Sequence, residues 1–587
     1  MSAGLGVPAA SLAARVSGVA NPDGSAWLEE RGWSSPSTAC EPKVVALRAI
    51  RGVAPAQPLA TVSYLSRGNV LIVAGSARVE RARDAAAALA SRLPVTLLEP
   101  EAVSAAGYAS WSGRIESATG FLGEFNVSVA GLRTAPGAAP AAKPASARFD
   151  LVLDLGEAPL FAMRQPPQGY FRPDDDGIAQ AIEEIAAAVG EFEKPRFFAY
   201  RENLCAHSRS EIVGCDACIE ICSTQAIASD GDHVKVDPHL CMGCGACATV
   251  CPSGAMSYQY PRMADRGSEV KSLLSTYHGA GGRDACIVFH NGGAARELLA
   301  RAALSGHGLP ARALPIETWH VASVGLDLLL SAVAFGASNV AVLSSGDEDP
   351  EYLAALREQM AIGAAILAGL GYEGTHFGVI EARETLELSA AFASLACAHA
   401  VETPATFAVG DDKRTTIEFA VEHLAKHAPR KAEVIELPAG APFGEIRVDR
   451  DKCTMCMACV GSCPESALMD GVDKPLLKFL ERNCVQCGLC EATCPEEAIT
   501  LSPRLALTPA VREARVLNET QPFHCIRCQK PFGTKQMVDA MTGRLAAHSM
   551  FSQGSALRRL QMCADCRVVD MMSSRDEMSI LKLGADR

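Results

Sequence analysis

Cys453-Thr-Met-Cys456-Met-Ala-Cys459-Val-Gly-Ser-Cys463-Pro464 is followed by Cys484-Val-Gln-Cys487-Gly-Leu-Cys490-Glu-Ala-Thr-Cys494-Pro495, so one spacing occurs twice. In each run two short x2 loops turn three thiols toward a common centre, and the x3 step to Cys-Pro carries the fourth thiol onward. Working outward, eight, eight and four of the chain's 23 cysteines lie in three such stretches of a 587-residue sequence. Clustered thiols in a long chain are read as ligands or redox groups, whereas a disulfide framework belongs to small secreted domains. The length predicts about three to six domains. Hydrophobic residues at 49% and charged residues at 21% indicate a globular chain rather than a disordered or fibrous one.

The spacing is that of paired 4Fe-4S runs, in which the fourth cysteine of each run serves the other cluster. One expected quartet is Cys453, Cys456, Cys459 and Cys494, and its neighbour is Cys484, Cys487, Cys490 and Cys463. A second module lies upstream, where Cys241-x2-Cys244-x2-Cys247-x3-Cys251-Pro252 is regular. Its partner run, Cys205-x9-Cys215-x2-Cys218-x3-Cys222, has nine residues between its first two cysteines and Ser223 where proline is usual. Crossed ligation assigns Cys205, Cys215, Cys218 and Cys251 to one cluster and Cys241, Cys244, Cys247 and Cys222 to the other. The alternative at Cys205 is a three-iron cluster or a non-cysteine ligand, with His207 nearby. Between the runs, AIASDGDHVKVDP reads as a hairpin with an Asp-Gly turn.

Cys525-x2-Cys528 and Cys563-x2-Cys566, with 34 residues between the pairs, supply four thiolates in the pattern of a closed structural zinc site. A rubredoxin-like iron site is the alternative, although Gln529 and Arg567 stand where each knuckle usually has glycine. His524 and His548 are expected at the surface or behind the ligands. Cys40, Cys286 and Cys397 are isolated and read as buried free thiols.

The expected fold class is multidomain α/β plus α+β: two ferredoxin modules with two clusters each, two α/β domains with mainly parallel sheets, and a C-terminal zinc-ribbon-like module. Residues 1–40 read as a mobile arm, 41–195 as an α/β domain, and 196–262 as the first ferredoxin module. Residues 263–437 read as a second α/β domain, 438–506 as the second ferredoxin module, and 507–587 as the four-cysteine module. In the first α/β domain NVLIVAG (69–75), VTLLEP (95–100) and FDLVLDL (149–155) read as strands, with helices over 77–93 and 176–192 and an Ala/Pro loop over 133–148. The VAGSA turn has neither GxGxxG nor a P-loop Lys-Ser/Thr, so a structural turn is favoured over a nucleotide site. In the second domain, strands over 285–290, 311–319, 339–344 and 375–382 alternate with helices over 294–304, 325–335 and 352–370, as a parallel sheet requires.

Net charge is −13, which disfavours general nucleic-acid binding. From Leu507 onward 12 basic residues face 8 acidic ones, read as a solvated surface with a docking face as the alternative. The first residues lack a basic n-region before an apolar stretch, so a signal peptide is not expected. No uninterrupted apolar run of about 18 residues occurs, so no transmembrane segment is expected. The chain is read as cytoplasmic.

On the stretches ENLCAHSRSEIVGCDACIEICSTQAI, HLCMGCGACATVCPSGAM, HCIRCQKPFGTK and MCADCRVVD, the chain resembles bacterial polyferredoxin-like iron-sulfur proteins, in particular those encoded beside molybdenum or tungsten formate dehydrogenases. The middle domain is similar to the small electron-transfer subunit of methyl-viologen-reducing hydrogenases but lacks that subunit's cluster cysteines. The resemblance implies an iron-sulfur electron carrier for a redox partner, with a formate dehydrogenase as the specific expectation. No catalytic constellation is expected; His290 and His320 are lone histidines at element ends. The alternatives are an assembly or maturation factor for a metalloenzyme and, less supported, a redox-sensing regulator.

Overall fold

The computed structural model describes residues 41–51, 56–105, 107–304, 309–472, 474–548, 551 and 554–573. The expected arm over 1–40, and Cys40 with it, lies outside the described residues. The chain divides into two compact units. One takes the chain up to Arg201, Ala217–Asp230 and Val234–Arg430; the other takes Glu202–Asp216, Gly231–His233 and the chain from Lys431 onward. The module expected over 196–262 is therefore not one piece, because the loop bearing Cys205 and Cys215 belongs to the second unit.

In the first unit, Val70–Ala74 is an unbroken apolar run, the pattern of a strand covered on both faces. It pairs in parallel with Val95–Leu98 and Leu151–Leu155. Between the first two, the helix Val79–Ala90 buries Ala82, Ala85, Ala86 and Leu89, one face at helical spacing. The expected sheet was mainly parallel, and four pairings are. However, Ala109–Thr119, Phe125–Arg133 and Ala145–Phe149 extend the seven-stranded sheet as an antiparallel meander. The Ala/Pro tract is the loop of that meander, and its last residues already form a strand.

Two expected boundaries shift. The helix expected over 176–192 stops at Ala187, because Gly190 takes φ +127° and Gly190–Pro195 turns into a strand against Thr61–Ser66. Glu41–Arg51 packs on the helix Met263–Gly279 of the middle domain rather than on the first sheet. Lys43 secures it by donating to the carbonyl oxygens of Leu309 (3.4 Å) and Pro310 (3.2 Å). The VAGSA turn is closed: Gly75 N–H donates to Leu155 O at 3.1 Å, and a β-carbon there would stand 3.1 Å from Glu157 N.

The middle domain is an all-parallel four-stranded sheet in the order Ala313–Thr318, Cys286–Asn291, Asn339–Ser344, Phe377–Glu381. Pro350–Leu370 is its longest helix, started by Asp349 accepting from Glu351 N–H and ended by Gly371 at φ +86°. Of the described helices, it alone has the length and hydropathy to cross a bilayer, and half of that apolar stretch is buried within the protein. Helices Thr385–Ser394 and Lys413–Lys426 were not anticipated. Cys286 is buried as expected, but Cys397 is exposed, because the chain leaves the helical path after Ser394.

The second unit carries two three-stranded antiparallel sheets. Ile499–Ala506 lies between Val434–Glu436 and Gly444–Val448, and Leu476–Phe479 lies between Leu468–Met469 and Arg515–Glu519. The expected limits of 438 and 506 thus fall short at both ends. The missed segments are strands of three and five residues, too short for a periodic signal. Beyond them come the hairpin Pro522–His524 with Pro531–Thr534 and the helices Lys535–Leu545, Gly554–Leu560 and Ala564–Ser573. The zinc-ribbon expectation needs revision here. One cysteine knuckle sits on a hairpin, whereas the other opens the helix Ala564–Ser573.

Candidate metal centres

Three cavities are each lined by four cysteines. One is bordered by Cys463, Cys484, Cys487 and Cys490, a second by Cys453, Cys456, Cys459 and Cys494, and a third by Cys222, Cys241, Cys244 and Cys247. In each, three cysteines come from one run and the fourth from its partner run. The residues present therefore fit a group that takes four thiolates, with an apolar lining around it. In the first unit that lining includes Phe197, Phe198, Ile221, Ile227, Val236 and Tyr258.

Local backbone geometry explains how the runs curl. In three runs the residue before the second cysteine and the residue after it have positive φ: Gly243 and Gly245, Met455 and Met457, Gln486 and Gly488. Such left-handed residues reverse the chain within one step, and glycine adopts them without strain. Met455, Met457 and Gln486 hold the same conformation with side chains attached, a local cost that the surrounding fold sustains. The return from each fourth cysteine is also shared: Gln225, Gly254, Ser466 and Glu497, each three residues on, all have positive φ. That turn sends a backbone N–H back toward sulfur. Ala226, Ala467 and Ala498 donate to Cys222, Cys463 and Cys494 at 3.3, 3.3 and 3.4 Å, and Met256 donates to Cys251 at 3.4 Å. These donors favour the charged sulfur.

Burial acts the other way. It pushes the Cys241, Cys459 and Cys487 thiols up to about 12, and Cys244, Cys247 and Cys490 upward as well. Without a cation these groups stay neutral, so loading the sites with metal displaces their protons.

The remaining quartet of the sequence, Cys205, Cys215, Cys218 and Cys251, is divided: the first two belong to the second unit and the other two to the first. In the second unit, His207 does not point freely at a metal. Its Nδ1 stands 2.8 Å from the Asp216 carboxylate and 3.2 Å from the Cys215 carbonyl. Ser223, which replaces the usual proline, has a reason that spacing did not reveal. Its hydroxyl donates to Gln165 Oε1 at 3.2 Å and makes a hydrogen bond with Tyr352, tying the run to both α/β domains.

At the C-terminal end, the sulfurs of Cys525, Cys528, Cys563 and Cys566 all lie within 4.8 Å of one another, which fits a single metal ion. Burial opposes ionisation of Cys525, yet N–H groups of Cys528, Cys563 and Arg527 outweigh it and hold this thiol down to about 6. Gln529, where glycine was expected, has φ +60° and keeps the knuckle's left-handed step. His524 and His548 are exposed. Thr534 anchors this region by donating from its hydroxyl to the Thr454 carbonyl at 3.0 Å, directly after Cys453.

Neither candidate acid-base histidine is free for chemistry. His290 is buried with Nδ1 2.8 Å from the Asn291 carbonyl, and His320 Nδ1 accepts from Ala322 N–H at 3.1 Å.

Models of a 4Fe-4S dicluster domain match residues 213–255 and 445–495; the first match begins after Cys205. The chain is 42% identical over 40 residues to hydrogenase-4 component A of Escherichia coli (strain K12) and 37% over 43 residues to ferredoxin 7Fe of Hydrogenibacillus schlegelii. It is 44% identical over 39 residues to a ferredoxin of Alicyclobacillus acidocaldarius subsp. acidocaldarius. Each match covers 7% of this chain; the aligned stretches span 20% of the hydrogenase component and 55% and 50% of the two ferredoxins. Two segments of the chain thus match 4Fe-4S dicluster domains, and these matches support an iron-sulfur protein of ferredoxin type.

Proposed function

We propose that the chain relays single electrons through four 4Fe-4S clusters to or from a partner oxidoreductase in the cytoplasm. The observation that carries this reading is the gathering of three crossed cysteine quartets around three separate cavities. Spacing supplies the fourth quartet, Cys205, Cys215, Cys218 and Cys251. Bound 4Fe-4S cubes supply one-electron redox chemistry whose potential follows charge, hydrogen bonds to sulfur and solvent exposure. The protein's part is to hold the thiolates, exclude water with the apolar lining and aim N–H donors at sulfur.

The C-terminal quartet is assigned to zinc. Four thiolates leave no open position, so the ion is structural. The similarity to a hydrogenase component supports a redox enzyme as partner, and the wider resemblance points to a formate dehydrogenase. The middle domain then serves as a scaffold without a redox centre of its own.

Metal analysis of anaerobically purified protein tests the cofactors: about 16 iron and one zinc per chain are expected. About 15 iron would place a three-iron cluster at Cys205, and a second mononuclear iron in place of zinc would reassign the C-terminal site. Mixing with reduced formate dehydrogenase tests the relay. Clusters that a dehydrogenase never reduces at a useful rate would leave the maturation-factor reading instead.

A further inference from the structure

Three side chains from outside the cysteine runs converge on the first-unit quartet. Lys413, the first residue of its helix, places Nζ 3.0, 2.5 and 3.0 Å from the carbonyl oxygens of Ala248, Thr249 and Cys251. Three acceptors around one nitrogen match the three N–H donors of an ammonium group. Lys194, 1% exposed, donates to the carbonyl oxygens of His239 and Cys241 at 2.7 Å each, and its Nζ stands 5.0 Å over the Tyr64 ring. One lysine comes from each α/β domain, and together they hold the two ends of the run Cys241–Cys251. The Tyr352 hydroxyl, from the middle domain, hydrogen-bonds the hydroxyl of Ser223, the residue after Cys222, and lies beside the Cys244 sulfur.

The other cavities have different surroundings. Each second-unit cavity has a carboxylate in its wall, Glu465 in one and Glu496, paired with Arg544, in the other. Among the described residues, no charged side chain lines the first-unit cavity. Adding an electron makes a thiolate-bound cluster more negative. Fixed cations and donors to sulfur favour that state, whereas burial and nearby carboxylates oppose it. Asp327 is the acid beside Lys413; burial raises its carboxyl and lowers the Lys413 ammonium, and their mutual attraction opposes both shifts.

We propose that Tyr352, Lys194 and Lys413 are positioning residues that make the centre held by Cys222, Cys241, Cys244 and Cys247 the most readily reduced in the chain, and so the collecting point of the relay. One electron is taken up there from the partner enzyme, with no bond made or broken. The proposal rests on the relay reading above, but its test needs no partner enzyme.

The test is a potentiometric titration of the full anaerobic chain with dithionite and mediator dyes, followed by EPR, with Cys247→Ser used to identify the signal of this centre. In the unaltered protein that signal should appear first on reduction. Tyr352→Phe should make its reduction at least tenfold less favourable, a shift of about 59 mV for one electron, with iron content and the other signals unchanged. Lys413→Met should act in the same direction and Lys413→Arg should restore the potential. If Lys413→Met loses iron, Tyr352→Phe, which removes one oxygen, and Lys194→Met still decide the matter. Unchanged potential in Tyr352→Phe, or appearance of this signal last, overturns the proposal. Failure of electron exchange with a dehydrogenase, alongside these shifts, would overturn the relay reading alone.

Discussion

Gly214 stands so close to Leu489 that a β-carbon added to it would lie 2.4 Å from the leucine Cγ and 2.8 Å from the Ala206 carbonyl oxygen. Both residues belong to the second unit. The loop carrying Cys205 and Cys215 therefore rests against the helix that follows Cys487. Gly214→Ala forces either the leucine or the loop backbone to move, at a cost of roughly 1–3 kcal/mol for overpacking. If Cys205 and Cys215 hold a cluster as proposed, iron should fall by about four per chain, while the metal of the C-terminal quartet stays. Unchanged iron and unchanged thermal stability would show that the contact yields freely.

Gly243 makes the same demand in the first unit for two reasons at once. Its φ is +79°, and a β-carbon would meet the Phe197 ring at 2.6 Å. Gly243→Ala should destabilise the first unit by roughly 1–3 kcal/mol and lower iron occupancy, whereas alanine at Gly461, which faces open space within a helix, should be tolerated. Chemical denaturation of the two variants side by side provides the measurement.

Removing single ligands should separate the centres. Cys490→Ser should remove about four iron and spare the metal of the C-terminal quartet, and Cys563→Ser should remove that metal and spare the cluster iron. The anchoring bond from Thr534 to Thr454 suggests one exception. Loss of the C-terminal metal should speed loss of the centre beside Cys453 in air, seen as faster bleaching of the visible absorbance than in the unaltered protein.

Acid should weaken the middle domain. Burial lowers His278, His290 and His376 from their usual 6.5. Each is held neutral in the fold and takes a proton more readily when unfolded. Their contribution is complete above about pH 6.5 and is lost as pH falls through the folded values. Urea midpoints measured from pH 8 to pH 5 should fall below about pH 6.5. A flat profile would mean that these histidines protonate in place without penalty.

Much of the middle domain is legible in the sequence, because buried strands such as Asn339–Ser344 are continuous apolar runs and the helices between them have clear spacing. The meander Ala109–Thr119 to Ala145–Phe149 is not, since its strands are partly exposed and rich in alanine, serine and glycine. Cys397 was misplaced for a similar reason. Its apolar neighbours suggest burial, but the helix ends three residues earlier and leaves it in solvent.

The cysteine spacing alone pointed to the kind of cofactor and to the three quartets that line cavities, because a metal cluster constrains its ligands through short local loops. It could not determine what surrounds them. Lys194, Lys413 and Tyr352 lie far from the ligands in sequence and carry no motif, and only folding brings them to Cys241, Cys251 and Cys244. The cofactor type follows from bonds made within a dozen residues, whereas its electrostatic setting is the sum of contacts from three domains. That sum exists only in the tertiary structure.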